Sequence, residues 1–313
     1  MPYFSVIIPL YNKENFIGKT IESVLAQTFA DFEIIIVDDC STDNSLAKAK
    51  EYISEKIRIV HHESNKGLSA SRNTGIKNAA TEFITFLDAD DLWKPTFLEK
   101  IRELTLKFPQ ADLFATSYME LYPGNLEIAP SVNKSDIPPG DMVLVNDFFR
   151  KNLRQPIYNH SSVCIRRTLF EQVGNYDERI NFSEDVDFNI RANAEGLLAF
   201  YNSVESYYVV YSENQITTSG IINKTIPMLD GFSRLENENP DIKKYVDFER
   251  YVLAMHCKLA GRIIDYDRFL SAININNLTS KQRMMLKLPL PILKLIKKVK
   301  FFLLLKGFRL TSY

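Results

Sequence analysis

Several patterns are scarce or missing in this 313-residue chain, and each absence narrows the class of protein. The three cysteines, Cys40, Cys164 and Cys257, are odd in number and far apart, so they fit neither a disulfide framework nor a CxxC metal site. We therefore expect a reducing compartment. No apolar run approaches the ~18 residues of a membrane-spanning helix. The run at 4–10 is too short for a signal peptide and lacks its basic leader.

Glycine-rich phosphate-binding loops are missing too. Neither GxGxxG nor GxxxxGK[ST] occurs, so we exclude a dehydrogenase and expect any nucleotide phosphates to be held in another way. The composition, with 45% hydrophobic and 25% charged residues, is that of a globular protein and excludes a disordered or low-complexity chain.

Charge is distributed unevenly along the chain, although the formal net charge is only -1. The segment 268–313 holds 10 Lys or Arg and no Asp or Glu, which leaves 28 basic and 39 acidic residues, a net charge of -11, in the rest. An acidic body with a basic tail does not fit a nucleic-acid-binding domain, and we expect no nucleic acid partner. An anionic membrane surface is the first candidate partner for the tail.

Short apolar runs alternate with helical patterns over roughly the first third of the chain. Such alternation predicts an α/β fold with a mainly parallel central sheet flanked by helices. The predicted strands are 4–9, 33–37, 57–60, 82–87 and 112–116, and the predicted helices are 14–27, 43–54, 69–79 and 95–107, with Pro95 in the first turn of the last.

The alternation breaks down from about 122 to 159, where prolines and glycines mark a long irregular stretch. Loops of that length are typical of lids or binding surfaces. Regular patterns then return, and the chain becomes helical from 222 to about 267. The patterns before that helical part predict a strand at 162–165, a helix at 183–195 and strands at 197–201 and 207–211.

Five carboxylates follow predicted strands at the edge where ligands bind in open parallel sheets. Asp38 and Asp39 follow the second strand, and Asp88, Asp90 and Asp91 follow the fourth. One aspartate at such a place often only caps the next helix, but three after a single buried strand exceed what a cap needs. Oxygen ligands suit Mg²⁺ or Mn²⁺ bound together with phosphate groups. The pattern therefore favours an enzyme that handles a nucleoside diphosphate.

Six segments of the chain resemble the motifs of family 2 glycosyltransferases with the GT-A fold. They are SVIIPLYN (5–12), FEIIIVDD (32–39), NKGLSASRNTG (65–75), FLDADD (86–91), GNYDE (174–178) and EDVD (184–187). A lone DxD would be weak support, but six motifs in the family's order are specific. The resemblance covers about 3–220 and implies a GT-A nucleotide-diphospho-sugar transferase domain at 1–220. We expect a helical C-terminal region at 221–280 and a basic amphipathic tail at 281–313.

The resemblance assigns the nucleotide to residues in the first four motifs. Tyr11 would stack on the base, and Asp39 would accept the imide N–H of the base, which favours uracil. Arg72 would contact the base or a phosphate group, and Asp88 would touch the ribose. Pro9 belongs to the same motif as Tyr11 and joins the predicted nucleotide site. A core tyrosine and a surface arginine are the alternatives for Tyr11 and Arg72.

Catalysis and metal binding are assigned by the same resemblance. Asp90 and Asp88 are similar to the DxD pair that coordinates Mn²⁺ or Mg²⁺. Glu184 and Asp185 are similar to the pair that supplies the catalytic base, and we choose Asp185. The plain alternative is that acids favour the first turn of a helix, with Ser183 as its N-cap.

One position departs from the family pattern. Many members carry a histidine that completes the metal shell after the second late strand, and Ser212 stands there in this chain. This departure puts metal affinity and metal dependence in doubt. Glu213 is a possible substitute oxygen ligand.

These assignments predict an inverting, non-processive glycosyltransferase. It would move a sugar from a nucleotide-diphospho-sugar, UDP-linked by the base contacts, to a hydroxyl of a saccharide or lipid-linked saccharide in surface polysaccharide biosynthesis. The Gln-x-x-Arg-Trp signature of processive synthases is missing, since Trp93 is the only tryptophan. The alternatives are a non-catalytic nucleotide-sugar-binding module and a nucleotidyltransferase, which would need a basic phosphate loop.

The tail forms an amphipathic pattern on a helical wheel. Apolar side chains on one face and lysines on the opposite face predict an interfacial helix that binds an anionic membrane surface through 290–310. We accordingly expect a cytoplasmic protein, peripheral on the inner face of the cell membrane. Docking of the apolar stripe on the acidic body or on a second subunit is the alternative. The stripe comprises Ile292, Leu295, Ile296, Val299, Phe302 and Leu303, opposite Lys294, Lys297 and Lys298.

Overall fold

A computed structural model describes residues 2–215, 220–304, 306, 308 and 309. The fold is built on a ten-stranded sheet, in which eight strands run in the order β3-β2-β1-β4-β9-β6-β10-β5, while β7 pairs with β6 and β8 with β10. The strands are β1 (Phe4–Leu10), β2 (Phe32–Asp38), β3 (Ile57–His61), β4 (Phe83–Phe86), β5 (Leu92–Trp93), β6 (Leu113–Tyr122), β7 (Leu126–Ile128), β8 (Met142–Val145), β9 (Val163–Arg166) and β10 (Leu198–Val209).

Twelve α-helices occur in the described residues, and those that connect the first strands cover the sheet. Their bounds are α1 (Ile17–Leu25), α2 (Ser45–Lys50), α3 (Leu68–Asn78), α4 (Phe97–Lys107), α5 (Phe148–Lys151), α6 (Arg167–Val173), α7 (Glu184–Glu195), α8 (Ser233–Glu238), α9 (Pro240–Ala260), α10 (Ile263–Ala272), α11 (Ser280–Lys287) and α12 (Leu290–Leu304).

The central strands are buried on both faces, as their unbroken apolar runs predict. All seven residues of β1 are buried. Alternate residues of these strands enter different hydrophobic clusters: Ile7 and Ile35 belong to one, and Val6 and Ile34 to the other. Side chains alternate across a strand, so the two clusters lie on opposite faces of the sheet.

The sheet is mixed rather than mainly parallel, which corrects the sequence-based expectation. β1 pairs in parallel with β2 and β4, β2 with β3, and β6 with β10. However, β9 lies antiparallel between β4 and β6, and β5 and β8 pair antiparallel with β10. The antiparallel strands β5, β8 and β9 are short, and the strands with which they pair lie far away in the sequence, so the local pattern does not indicate their direction. The α/β prediction itself is confirmed.

The predicted first five strands and first four helices are all present, with ends shifted by a few residues. Two local predictions at helix starts are wrong in detail. The helix after Pro95 begins at Phe97, so the proline precedes it rather than occupying its first turn. Ser183 stands at the N-cap of α7, but it has left-handed backbone (φ 58) and makes no side-chain capping hydrogen bond.

Later segments differ more from the sequence-based expectation. The predicted strands at 197–201 and 207–211 form the single strand β10, whose pairing with β6 shifts register between Tyr201 and Ser206. Such an irregularity lets one strand continue through residues that look like a break. The irregular stretch 122–159 contains β7, β8 and α5. The predicted helix from 222 starts only at Ser233, after a 3-10 turn at Leu229–Phe232.

The C-terminal helices are packed on the body of the molecule. Eleven residues of α9 are buried, and α9 contacts α5, α7, α8, α10 and α12. Leu293 of α12 is buried in the same hydrophobic cluster as α9. Of the described residues, no helix is both long and apolar enough to cross a bilayer. Leu305 and the segments 216–219 and 310–313 lie outside the described residues.

Candidate active site

The loops after β1 and β2 meet at the carboxyl edge of the sheet. Leu10 lies beside Asp38 in the parallel register, and the Asp39 amide donates to the Leu10 carbonyl at 2.8 Å. Asn12 has left-handed backbone (φ 50), a conformation that asparagine tolerates better than most residues. Its side chain accepts from the Thr42 amide at 2.8 Å, which fixes one loop against the other.

The exposed ring of Tyr11 is consistent with a planar face open to a ligand. Tyr11 is 40% exposed, so the alternative of a core tyrosine does not hold. Pro9, by contrast, is buried within β1 opposite Val37. Because proline has no backbone N–H, Pro9 offers only its carbonyl and ring to this edge of the sheet.

Asp39 is held by the loop that leads into α3. Its Oδ1 accepts from the Lys66 amide at 2.8 Å and lies 2.7 Å from His62 Nδ1, and its Oδ2 accepts from the Gly67 amide at 2.8 Å. Gly67 has φ 91, a conformation that favours glycine. Asp38 is fully buried, with one carboxylate oxygen 2.8 Å from His61 Nδ1. The carboxylates after β2 therefore organise the β3–α3 loop.

Arg72 lies at the centre of the acidic cluster rather than on the surface. Its Nη1 donates to Glu184 at 2.8 Å and its Nη2 donates to Asp88 at 3.1 Å. The side chain is only 2% exposed, and its Nε has no hydrogen-bond partner among the described residues. Although burial opposes the charge, the carboxylates of Asp88 and Glu184 raise the pKa of Arg72. Arg72 thus brings the fourth and sixth motifs together.

Asp90 faces a lysine and a serine. Lys13 Nζ donates to Asp90 Oδ2 at 2.7 Å and to Ser212 Oγ at 2.9 Å, and Ser212 Oγ also donates to Asp90 Oδ2. Asp90 and Lys13 are both buried. The loop after β1, the DxD segment and the residue after β10 therefore meet at one point.

Asp91 ties the DxD segment to its neighbours instead of capping α4. Its Oδ2 accepts from Ser161 Oγ at 2.5 Å and its Oδ1 accepts from the Val209 amide at 2.9 Å. Burial and the nearby carboxylates of Asp90 and Asp88 raise the pKa of Asp91 well above its ordinary value. Burial also raises the pKa of Asp88, against the opposing effect of Arg72.

Glu184 and Asp185 open α7 and differ in what they face. Glu184 is buried against Arg72. Asp185 is half-buried, accepts from the Val186 amide at 3.0 Å and, in the described part of the chain, forms no ion pair. Burial and the negative charge of Glu184 raise the pKa of Asp185 to about 6. A carboxylate with a pKa near the working pH can accept a proton from a hydroxyl group.

A glutamate of α9 lies close enough to Asp185 to feel its charge. Glu249 is buried and hydrogen-bonded to Tyr245. Burial, assisted by the negative charge of Asp185, raises the pKa of Glu249 to about 8. The charge of Asp185 therefore reaches a buried acid of the C-terminal helical region.

The donor set for a divalent ion is incomplete in this part of the molecule. Across 2–215, 220–304, 306, 308 and 309, no three His, Cys, Asp or Glu side chains are placed to hold one metal ion. One oxygen of Asp88 is paired with Arg72, and one oxygen of Asp90 is paired with Lys13 and Ser212. The predicted metal ligands are therefore partnered by cationic and hydroxyl groups.

The structure brings most of the predicted site residues to one edge of the sheet. Arg72 bonds to Asp88 and Glu184, and Lys13 bonds to Asp90. Tyr11 and Asp39 lie on the loops after β1 and β2, and Asp185 follows Glu184 at the start of α7. Sequence reasoning missed Lys13 and Glu249. Lys13 follows the Tyr11–Asn12 motif directly, but nothing in the local pattern indicates that its side chain turns inward. Glu249 carried no such signal either, because Asp247 and Arg250 flank it in a helix of mixed polarity.

Comparison with known proteins agrees with these motifs. The sequence profile described as glycosyl transferase family 2 matches residues 5–165, just over half of the chain. The chain is 31% identical over 268 residues to the uncharacterized glycosyltransferase EpsJ of Bacillus subtilis (strain 168), a match that covers 82% of this chain and 73% of EpsJ.

A shorter match is to the UDP-Glc:alpha-D-GlcNAc-diphosphoundecaprenol beta-1,3-glucosyltransferase WfgD of Escherichia coli. The two are 42% identical over 103 residues, which cover 33% of this chain and 41% of WfgD.

The fold is similar to that of a solved glycosyltransferase. S. aureus TarS 1-349 in complex with UDP-GlcNAc matches 92% of this chain and 77% of the TarS chain with a TM-score of 0.59 at 19% identity. This likeness supports a GT-A-like α/β fold and carries no assignment of ligand. Profile, relatives and fold agree: the chain belongs to glycosyl transferase family 2 and is a glycosyltransferase.

Proposed function

We propose that this protein transfers a sugar, with inversion, from a UDP-linked donor to a hydroxyl of a saccharide or lipid-linked saccharide. The observation that carries the proposal is the pairing pattern of the two acids at the start of α7. Glu184 is neutralised by Arg72, whereas Asp185 has no ion-pair partner among the described residues and has a pKa of about 6. An unpaired carboxylate with such a pKa suits a general base.

The transfer step places the proton on Asp185. The acceptor hydroxyl oxygen attacks the anomeric carbon from the face opposite the diphosphate, and the new carbon–oxygen bond forms as the bond to the β-phosphate oxygen breaks. The electron pair of the broken bond leaves with the nucleoside diphosphate, and the acceptor proton moves to the Asp185 carboxylate. One displacement inverts the anomeric carbon and needs no covalent enzyme intermediate.

The nucleotide would lie across the loops after β1, β2 and β4. The exposed ring of Tyr11 offers a stacking face at the end of β1, with Pro9 beneath it in the strand. Asp39 and Arg72 are proposed to contact the base and a phosphate group, and Asp88 the ribose. A UDP donor is supported by a relative named as using UDP-Glc and by TarS crystals with UDP-GlcNAc and with UDP.

Family 2 glycosyltransferases with this fold are generally metal-dependent. The Mn²⁺ or Mg²⁺ site predicted at Asp90 and Asp88 stays a prediction for this chain. As they stand, the side chains do not fit such an ion, because the ammonium group of Lys13 and the hydroxyl of Ser212 take the Asp90 oxygen that would face it.

The acceptor is proposed to lie at a membrane surface. Four side chains of the predicted stripe, Ile292, Leu295, Val299 and Phe302, remain exposed on one face of α12. Exposed Lys294 and Lys298 lie beside that face in helical geometry. Such a helix suits the inner face of the cell membrane. There a cytoplasmic enzyme of surface polysaccharide synthesis, with the catalytic part at 1–220, would meet a lipid-linked saccharide.

A panel of nucleotide sugars tests the proposal. The protein is incubated with UDP-glucose, UDP-galactose, UDP-GlcNAc, UDP-GalNAc and UDP-glucuronate, with and without saccharide acceptors and Mn²⁺, and released UDP is measured. We expect at least one UDP-sugar to be turned over by the parent and not by Asp185→Asn. Tight UDP binding without turnover of any donor would favour a non-catalytic nucleotide-sugar-binding module instead.

A further inference from the structure

The ammonium group of Lys13 occupies a small polar site between the loop after β1 and the segment after β10. Its three donors are all used: Asp90 Oδ2 at 2.7 Å, Ser212 Oγ at 2.9 Å and the Glu213 carbonyl at 2.6 Å. The Lys13 side chain is 10% exposed and that of Asp90 is 9% exposed. A buried lysine–aspartate pair with every donor satisfied is a built site rather than a surface ion pair.

The backbone holds Lys13 in this position. Its amide donates to Ser45 Oγ at 2.7 Å, and its carbonyl accepts from the Phe16 and Ile17 amides at the start of α1. The segment after β10 is tied to the same loop, because Asn15 Nδ2 donates to Glu213 Oε2 at 2.9 Å. The lysine therefore cannot swing away freely from the last acid of the DxD motif.

The ammonium group of Lys13 places a positive charge beside Asp90, where a divalent cation would also place positive charge. Asp90 is the last acid of the motif predicted to bind the cation, and Ser212 replaces the histidine expected to complete its shell. A serine hydroxyl is a weaker metal ligand than a neutral imidazole, but it accepts a hydrogen bond from an ammonium group readily. Lys13 and Ser212 meet at the same oxygen of Asp90.

We infer that Lys13 takes the place of the divalent cation and contacts the diphosphate of the donor. The inference rests on the proposed function, since it assumes a nucleoside diphosphate at this edge of the sheet. A diphosphate oxygen replaces the neutral Glu213 carbonyl as one acceptor of Lys13 Nζ, while the bond to Asp90 is kept. The ammonium group then stabilises the negative charge that develops on the leaving diphosphate as the bond to the anomeric carbon breaks.

Binding of UDP and uridine in EDTA and in Mn²⁺ tests this inference by isothermal titration. The parent should bind UDP with affinities that agree within about threefold in the two conditions. Lys13→Met should weaken UDP binding in EDTA by about 10- to 100-fold, the usual range for a lost hydrogen bond to a charged group, and leave uridine binding unchanged. Lys19→Met is the matched control, an exposed lysine on α1 that contacts neither Asp90 nor Ser212.

Ser212→His provides a second variant that does not leave Asp90 unpaired. Restoring the imidazole should make UDP binding stronger in Mn²⁺ than in EDTA by about tenfold or more. The inference is overturned if the parent needs Mn²⁺ to bind UDP, or if Lys13→Met binds UDP in EDTA as tightly as the parent does. Failure of the parent to bind UDP or uridine in any condition would instead contradict the proposed function itself.

Discussion

At the scale of single residues, Glu184 and Asp185 are neighbours in sequence that face different partners. Arg72 donates to Glu184 at 2.8 Å, so this acid is held in an ion pair. Asp185 keeps an oxygen available and has a pKa of about 6, raised by burial and by Glu184. The sequence pair alone did not distinguish a helix-opening acid from a base, and the difference in pairing supports Asp185 for that role.

The pKa of Asp185 predicts the pH dependence of the reaction. Only the deprotonated carboxylate can accept the acceptor proton, so kcat/KM should fall about tenfold per pH unit below an apparent pKa near 6 and level off above it. Steady-state rates from pH 4.5 to 8.5 measure this limb. The residual activity of Asp185→Asn should show no such fall at low pH. If kcat/KM of that variant still falls below pH 6, a group other than Asp185 causes the fall.

How far the site could be predicted differs from residue to residue. Arg72, Asp88, Asp90 and Asp185 lie in contiguous motifs, and these motifs identify them without knowledge of their contacts. Lys13 could not be found in this way, because its role depends on Ser212 and Glu213, about 200 residues later in the chain. Long-range pairing leaves no local signal.

At the scale of elements, α3 approaches β1 closely at Gly75. A Cβ built at Gly75 would overlap the Ile7 side chain in the middle of the buried strand β1. This approach positions Arg72 one helical turn earlier, where it faces Asp88 and Glu184. The glycine is therefore needed for helix packing and, through it, for the site.

Gly75→Ala should lower the free energy of unfolding by about 1–3 kcal/mol, because overpacking a rigid core forces side chains or backbone to shift. Urea unfolding followed by circular dichroism measures the change. Gly231→Ala is the matched control, since a Cβ there meets nothing within 4 Å. Equal stability of the two variants would show that α3 moves away from β1 without cost.

Helix α9 carries a buried acid, Glu249, whose pKa is affected by Asp185. Burial and Asp185 raise its folded-state pKa to about 8, above the ordinary value of 4.5. Between these values the unfolded chain loses the proton while the folded protein keeps it. Stability should therefore fall with rising pH over this window, by up to about 1.4 kcal/mol per pH unit.

Glu249→Gln removes that pH dependence. The difference in free energy of unfolding between the variant and the parent should increase in favour of the variant from pH 5 to pH 8 and change little above pH 8. Urea titrations at several pH values measure this difference. Glu238→Gln, an exposed glutamate paired with Arg234, is the control and should give no such trend. A gain independent of pH would indicate a packing effect instead of a proton-linked one.

At the scale of the whole molecule, one side of the tail is docked on the body, while another side of α12 stays exposed and leaves membrane binding as a prediction. Leu293 is buried against the α9 cluster, Phe301 contacts Tyr211 edge-on at 5.3 Å, and Arg309 pairs with Glu120. The docked side chains include Leu293, which the predicted stripe omitted. Most of that stripe faces outward.

The helical wheel predicted an amphipathic helix but not which side packs on the protein. That choice depends on the shape of α9 and on partners such as Glu120, which lie far away in sequence. The same reason explains the antiparallel entry of β9 and the continuity of β10. The succession of strands and helices at the start of the chain was predictable because local alternation of apolar runs and helical patterns indicates it.

Membrane binding is tested more cleanly by point substitutions than by truncation. Removing residues after 279 would take away the buried Met285, Leu286 and Leu293 and expose the part of the hydrophobic cluster on α9 that they cover. Leu295→Glu combined with Val299→Glu places charges on the exposed stripe and should abolish sedimentation with phosphatidylserine-containing liposomes at low salt. Leu106→Glu is the control, because Leu106 is exposed on α4, which packs on the hydrophobic cluster that does not include α12. This variant should sediment like the parent. Unchanged sedimentation of the double variant would contradict membrane binding by this face.

The central claim, that Asp185 is the base of a sugar transfer, is tested most directly by separating binding from turnover in Asp185→Asn. UDP affinity is measured by isothermal titration, and UDP release is measured with the active donor. The account predicts UDP affinity close to that of the parent and a kcat lower by about 10²- to 10⁴-fold. Asp187→Asn, which removes a carboxylate paired with Arg191 on the same helix, should retain turnover. Turnover near the parental rate in Asp185→Asn would contradict the account.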